Sequence, residues 1–137
     1  MNIKSLMSTN VVTVKMDDSL STVKDIFDNT NFHHLLVVEG PKLFGIISDR
    51  DLLKSLSPNV DSKAATDKDL ASLKKRAHQI MTRTPIAIHE RSSIKDAVEL
   101  FNSHTISCIP VVNSANEPVG IISWRDIMKE IGSRFKK

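Results

Sequence analysis

Two stretches of this sequence set a hydroxyl and a carboxylate at one spacing, behind a glycine and two isoleucines. They are Gly45-Ile46-Ile47-Ser48-Asp49-Arg50-Asp51 and Gly120-Ile121-Ile122-Ser123-Trp124-Arg125-Asp126. A strand that ends in serine and turns into a helix presents unpaired backbone N–H groups at a positive dipole end, a favourable place for phosphate. The hydroxyls of Ser48 and Ser123 can add a hydrogen bond there. An aspartate three residues on lies one turn into the helix, on the same side as the serine. An ionised carboxylate only accepts hydrogen bonds, and two adjacent ribose hydroxyls can donate two. Charge-assisted bonds of this kind are roughly twice as strong as neutral ones. On this chemistry Asp51 and Asp126 fix a ribose, and Ser48 and Ser123 face a phosphate. The same Ser-x-x-Asp spacing is also a capping box. There the acid only steadies its own helix start, worth ~0.3–1 kcal/mol. For one isolated copy the cap is the preferred reading.

The motif does not stand alone, because most of the chain says the same thing twice. Leu6-Met7-Ser8 returns 74 positions later as Ile80-Met81-Thr82, and the segment 20–27 returns as 94–101. After Val38 the offset becomes 75, so Gly45 corresponds to Gly120 and Asp51 to Asp126. Internal repeats decide a fold more strongly than any local signal. Two copies of one unit predict one body with pseudo-two-fold symmetry and two related clefts where the copies meet.

Each repeat reads as strand, helix, strand, strand, helix. Val11 to Val14 is β-branched and suits a strand. Asp17-Asp18-Ser19 supplies a cap for a helix whose Leu20, Val23, Ile26 and Phe27 fall at helical spacing. Leu35 to Val38 is a buried strand, Glu39-Gly40-Pro41 a turn, and Leu43 to Ser48 the hairpin partner. In the second repeat Pro85 to Ile88 is a strand and Ser92-Ser93 caps a helix with Ile94, Ala97, Val98 and Phe101. Ser107 to Val112 and Pro118 to Ser123 form the hairpin around Asn113-Ser114-Ala115-Asn116, and Trp124 opens the last helix. In the connector, Ser57 to Asp61 reads as loop. Asp67 to Ala77 reads as a helix, with Leu70, Leu73 and Ala77 on one face and Lys74-Lys75-Arg76 solvated.

The bulk composition excludes several classes. The 137 residues fit the usual ~100–200 residues of one domain. A hydrophobic share of 40% and a charged share of 26% are those of an ordinary globular chain that needs no disulfide or metal to fold. One cysteine, Cys108, lies in an apolar run, which suits a reducing compartment. The first residues show no apolar signal core, and no apolar run reaches the ~18–20 residues that span a membrane. A net charge of +3 is no mark of nucleic-acid binding. Neither a Gly-x-Ser-x-Gly elbow nor a P-loop is present, and an apolar setting leaves the Cys108 thiol inert. An enzyme is therefore not expected.

With these motifs in place, the chain resembles a tandem pair of cystathionine β-synthase (CBS) domains, a Bateman module, over roughly residues 5 to 135. The resemblance rests on the paired Gly-apolar-apolar-Ser-x-x-Asp motifs, on Met7-Ser8 and Met81-Thr82, and on Ile109-Pro110-Val111-Val112; Leu36 stands where the first repeat would carry that proline. It implies an α+β fold of two β-α-β-β-α repeats related by pseudo-two-fold symmetry. Residues 1–56 form the first, 57–79 a linker with a helix, and 80–137 the second. It also implies a free-standing regulatory module that binds AMP, ADP or ATP in clefts between the repeats and signals to a separate, unidentified protein. The recurrence of the motif in such a pair shifts the preference from cap to ligand site.

Carried over position by position, the cleft of Ser48 and Asp51 draws on Thr82, Thr84, Pro85 and Ile86, with His33, His34, Ile106 and Ser107 near it. The cleft of Ser123 and Asp126 draws on Thr9, Asn10, Val11 and Val12, with Phe32 and Cys108 nearby. Arg50 and Arg125 reach phosphate or are solvated. His33-His34 supplies positive charge to phosphate; as a metal site the pair is weak, because neighbours at a strand start point to opposite faces, and His78, His89 and His104 lie elsewhere. No cofactor beyond the regulatory nucleotide is expected. The resemblance further implies a homodimer in the cytoplasm, without membrane contact. Leu20 to Phe27, Ile94 to Phe101, Leu52 and Met128 are its candidate surfaces, and Trp124 is expected to be buried or in that contact. Other readings stay open: a sensor of S-adenosylmethionine or a cyclic dinucleotide, a ligand-independent protein-interaction subunit, or nucleic-acid binding through Lys74-Lys75-Arg76 and the tail Arg134-Phe135-Lys136-Lys137. The last is not expected.

Overall fold

A computed structural model describes residues 2–136; Met1 and Lys137, the last residue of the basic tail, lie outside the described residues. The chain divides into two compact units. Residues 12–84 form one, called here the Ser48 unit. Residues 2–11 and 85–136 form the other, the Ser123 unit.

The Ser48 unit begins with β1 (Thr13–Lys15), α1 (Leu20–Asn29), β2 (His34–Glu39), β3 (Lys42–Ser48) and α2 (Asp49–Ser55). It continues with α3 (Asp67–Ala71), α4 (Ala77–Ile80) and β4 (Thr82–Arg83). Its sheet runs β1-β2-β3-β4, parallel between β1 and β2 and antiparallel elsewhere. Ser19 caps α1 by accepting from the Thr22 amide. Leu35, Leu36 and Val37 of the central strand are all buried, as a strand covered on both faces requires. Leu35 and Val37 pack with Val14, Leu20, Val23, Ile47 and Leu52.

The Ser123 unit carries β5 (Ile88–His89), α5 (Ile94–Ser103), β6 (Cys108–Val112), β7 (Pro118–Ser123) and α6 (Trp124–Arg134). Its sheet runs β5-β6-β7. Where the Ser48 unit has β4 beside β3, here Ser8 alone bridges Ile121, exchanging both backbone hydrogen bonds at 2.9 Å. The core is Ile3, Ile88, Ala97, Ile109, Val111, Ile122 and Ile127.

Each unit is thus completed by a segment that precedes the other repeat in sequence. Ile3 and its counterpart Ala77 are both fully buried, and their amides donate to the equivalent carbonyls of Ser92 (3.2 Å) and Asp18 (2.8 Å). The methionines that follow explain the motif glycines. A β-carbon at Gly45 would collide with the Met81 sulfur, and one at Gly120 would stand 2.6 Å from the Met7 sulfur.

Several elements differ from expectation. The first strand starts at Thr13, although the Val12 carbonyl still accepts from the Leu36 amide at 3.1 Å. Pro85, Ile86 and Ala87 are not strand; pairing begins at Ile88. The helix expected over Asp67 to Ala77 is broken. A 3₁₀ turn at Ser72–Lys74 follows α3, and Lys75 and Arg76 are extended. Tertiary bonds override helix propensity there: the Lys75 carbonyl accepts from the Leu20 amide, and Ser19 and Arg76 form a bridge. The basic triplet is also partly engaged, Lys75 Nζ donating to the Ser55 carbonyl and Arg76 to the Asp17 carbonyl, each at 3.0 Å. Of the candidate dimer surfaces, Leu20, Val23, Leu52 and Ala97 belong to the cores, whereas Met128 is exposed. Trp124 is 54% exposed, so it is not buried within its own unit, and the alternative expectation of a dimer contact stands. Among the described residues no helix is long and apolar enough to cross a membrane.

Candidate ligand-binding site

Hairpin register builds both sites. In the Ser48 unit, β2 and β3 pair His34 with Ser48. Ser48 is extended (φ −92°, ψ 160°) and caps α2, accepting from the Asp51 amide at 3.0 Å while its own amide donates to Asp51 Oδ2 at 2.9 Å. In the Ser123 unit, β6 and β7 pair Cys108 with Ser123. Ser123 accepts from the Asp126 amide at 3.2 Å, and its amide and hydroxyl donate to Asp126 Oδ2 at 2.8 and 3.0 Å. One more bond ties each frame together: the Asp49 amide donates to the His33 carbonyl at 2.9 Å, and the Trp124 amide to the Ser107 carbonyl at 3.3 Å.

The cap reading and the ligand reading therefore use different atoms of one carboxylate. Both boxes close through Oδ2, and among the described residues nothing hydrogen-bonds to Oδ1 of Asp51 or Asp126. Each carboxylate keeps about half of its acceptor capacity for donors from outside. Both aspartates are half-buried, so that capacity stays within reach of a ligand.

The surroundings of the two boxes differ. His33 Nδ1 lies 2.8 Å from Asp49 Oδ2, where the imidazole N–H donates to the ionised carboxylate. Partial burial works against the charge on Asp49. The His33 hydrogen bond and the Arg50 amide outweigh it and hold the carboxyl below the usual carboxylate range. Burial lowers the pKa of His34 from its ordinary value, against the opposing pull of Asp49 and Asp51. At the counterpart of His34, burial pushes the Cys108 thiol up to about 12. A thiol held in that state is inert as a nucleophile.

Of the residues assigned to the first cleft, Ser48, Asp51, His33, His34, Thr82 and Thr84 belong to the Ser48 unit; Pro85, Ile86, Ile106 and Ser107 belong to the Ser123 unit. Thr82 sits opposite Ile46 on β3, two residues before Ser48. Thr84, whose amide donates to the Phe44 carbonyl at 3.2 Å, is set back along β3 by about 13 Å from Ser48. Thr84 has φ +48°, unusual for a β-branched residue, whereas its counterpart Asn10 stays out of that region. Of the second set, Ser123, Asp126, Thr9, Asn10, Val11 and Cys108 belong to the Ser123 unit, and Val12 and Phe32 to the Ser48 unit. The Asn10 amide donates to the Ser8 hydroxyl at 3.3 Å, and the Val11 amide to the Thr9 carbonyl at 2.9 Å. Arg50 and Arg125 are exposed and form no ion pair with a described residue.

The sequence reading missed the His33–Asp49 contact. Its signal was present, because a register that pairs His34 with Ser48 brings His33 beside Asp49. It also marked the glycines and methionines without seeing that they touch.

An uncharacterized protein, MJ1404, of Methanocaldococcus jannaschii is 35% identical over 130 residues, 92% of this chain. This chain spans 27% of that relative's length. The CBS domain pair of protein MJ0100, solved in complex with 5′-methylthioadenosine and S-adenosyl-L-methionine, has a TM-score of 0.79 at 28% identity, covering 98% of each chain. CBSX2, solved in complex with AMP, has the same fold, with a TM-score of 0.78 at 20% identity over 98% of each chain. The CBS domain family model matches residues 3–58 and 77–133, each match taking in one glycine motif and its capping box. The chain is a member of the CBS domain family and carries two copies of that domain.

Proposed function

We propose that this chain is a regulatory module that binds an adenosine-containing nucleotide, AMP, ADP or ATP, through Ser48 and Asp51 and through Ser123 and Asp126, and passes the signal to a separate protein in the cytoplasm. The observation that carries this reading is the divided carboxylate. In both units Oδ2 closes the capping box while Oδ1 has no partner among the described residues. A ribose diol supplies the two donors that a free carboxylate oxygen can accept. Phosphate would lie toward the serine and the helix start, where backbone N–H groups favour an anion. Binding changes the module only as far as the ligand prefers one of two conformations.

A second reading is favoured by a specific observation. The domain pair of MJ0100, 28% identical, was solved with 5′-methylthioadenosine and S-adenosyl-L-methionine. These ligands share the ribose and adenine of the nucleotides and lack phosphate. Calorimetric titration with AMP, ADP, ATP, 5′-methylthioadenosine and S-adenosylmethionine separates the two. Binding of the phosphorylated ligands, lost in Asp51→Ala or Asp126→Ala, supports the nucleotide reading. Heat only with the sulfur-containing ligands moves the assignment to them. Silence with all five leaves a protein-interaction subunit as the account.

A further inference from the structure

The two capping boxes differ by one carboxylate at the helix start. Position by position, Arg50 matches Arg125, Asp51 matches Asp126 and Lys54 matches Lys129, so these charges cancel in the comparison. Asp49 has no such match, because Trp124 stands in its place. It is the first residue of α2, directly after Ser48, and its side chain is 46% exposed. Against the cost of partial burial, the His33 hydrogen bond and the Arg50 amide keep it ionised. Its charge reaches the site. Burial lowers the pKa of His34, the cross-strand partner of Ser48, and both Asp49 and Asp51 pull the other way. The one unmatched arginine is remote: Arg83, matched by Thr9, pairs with Gly45, three residues and about 10 Å back along β3 from Ser48. The helices differ in the same sense. α2 has 7 residues and α6 has 11, so the negative end of α2 lies nearer its start and offsets more of the positive end.

We propose that the two sites divide adenosine ligands by the charge on the ribose 5′ carbon: the Ser48 site favours a neutral or cationic 5′ group, and the Ser123 site favours a 5′-phosphate. Asp49 and Trp124 are the residues that set this preference. The division rests on the reading that Asp51 and Asp126 hold the ribose, which turns the 5′ group towards the helix start. That group is where adenosine ligands differ in charge. It is an anion in AMP, a hydroxyl in adenosine, a thioether in S-adenosylhomocysteine and a sulfonium in S-adenosylmethionine. Beside Ser48 an anionic 5′ group is repelled by the Asp49 carboxylate and a sulfonium is attracted. Beside Ser123 the indole carries no charge, and the N–H groups at the start of the longer helix favour the anion. One module then responds to two classes of adenosine ligand at once, each through its own capping box.

The test is calorimetric titration of two single-site chains, Asp126→Ala, which keeps the Ser48 site, and Asp51→Ala, which keeps the Ser123 site. The probes are adenosine, AMP, S-adenosylmethionine and S-adenosylhomocysteine, at about pH 8, above the ordinary range of histidine. The affinity ratio of AMP to adenosine is expected to be about tenfold higher at the Ser123 site than at the Ser48 site, and the gap should shrink at high salt. The Ser48 site should also prefer S-adenosylmethionine to S-adenosylhomocysteine, two ligands that differ by the sulfonium methyl. Asp49→Asn, which keeps the shape and removes the charge, should close both gaps. Trp124→Asp, at an exposed position, should lower the AMP ratio at the Ser123 site by a similar factor. Equal ratios at the two sites, or ratios that Asp49→Asn leaves unchanged, would overturn the division and leave the ribose reading standing. Adenosine bound by neither single-site chain, or bound by both with the stoichiometry of the natural chain, would overturn the ribose reading, and the division would fall with it.

Discussion

The two capping boxes share a backbone and differ in their neighbours. Register, cap and cross-strand carbonyl repeat from the Ser48 unit to the Ser123 unit, with each bond length reproduced within about half an ångström. Around that frame His33 becomes Ser107, His34 becomes Cys108 and Asp49 becomes Trp124. The frame decides where a carboxylate and a helix start stand. The three exchanged positions decide what charge surrounds them. Beside Ser48 stands the Asp49 carboxylate, hydrogen-bonded to His33; beside Ser123 the corresponding side chain is the Trp124 indole.

The largest expected difference between the units lies in their exchanged segments. Ile3 fills in the Ser123 unit the place that Ala77 fills in the Ser48 unit. Ile3→Ala is expected to cost about 2–5 kcal/mol through lost burial and a cavity. Ala77→Ile overpacks its site and costs about 1–3 kcal/mol. Urea unfolding gives the totals, and hydrogen exchange locates each loss in its own unit. Equal losses spread over both units would break the comparison.

The pH response is the next largest. The folded Cys108 thiol titrates near 12, above its ordinary 9.0, so the unfolded chain gives up that proton first. Stability of the Ser123 unit therefore falls as pH rises from 9 towards 12, by up to about 4 kcal/mol, and Cys108→Ala removes that slope. His34 acts in the opposite window. Its folded pKa lies below the ordinary 6.5, so the unfolded chain binds its proton first. The Ser48 unit loses stability as pH falls below 6.5 and regains it as pH rises. Hydrogen exchange at pH 5.5 and pH 9.5 should loosen different units.

Ligand affinity sharpens the contrast further. Losing the free carboxylate oxygen should weaken nucleotide binding by about 1.5–3 kcal/mol, the worth of a hydrogen bond to a charged group. For ATP the loss is expected to be greater in Asp126→Ala than in Asp51→Ala, because Asp49 disfavours phosphate beside Ser48. Asp49→Ala should raise ATP affinity at that site by a smaller factor. Titrations of the three variants with ATP test the order, and an unchanged or lowered affinity in Asp49→Ala contradicts it.

Much of this was legible in the sequence because the repeat displays each local rule twice. Ser48 and Ser123 as caps, the two hairpins, the helices after Ser19 and Ser93 and the buried Cys108 all follow from local patterns. The exchange of Ile3 and Ala77 was not legible, since no local signal says which repeat a lead-in segment will join. The break at Lys75-Arg76 was hidden for the same reason: Leu70, Leu73 and Ala77 keep helical spacing, and only bonds to Asp18 and Leu20 end the helix. In the site, Ser-x-x-Asp was readable as cap or ligand group. The division of labour between Oδ2 and Oδ1 needed coordinates.

The central claim is that Asp51 and Asp126 hold a ribose with the oxygen their caps leave free. Its most direct measurement is calorimetric titration with AMP and with 2′-deoxy-AMP, on the natural chain and on Asp51→Ala combined with Asp126→Ala. The account predicts that the deoxy ligand binds about tenfold or more weakly to the natural chain. It also predicts that the residual affinity of the double variant is the same for both ligands. Equal binding of the two ligands by the natural chain, or a deoxy penalty that survives in the double variant, would contradict it.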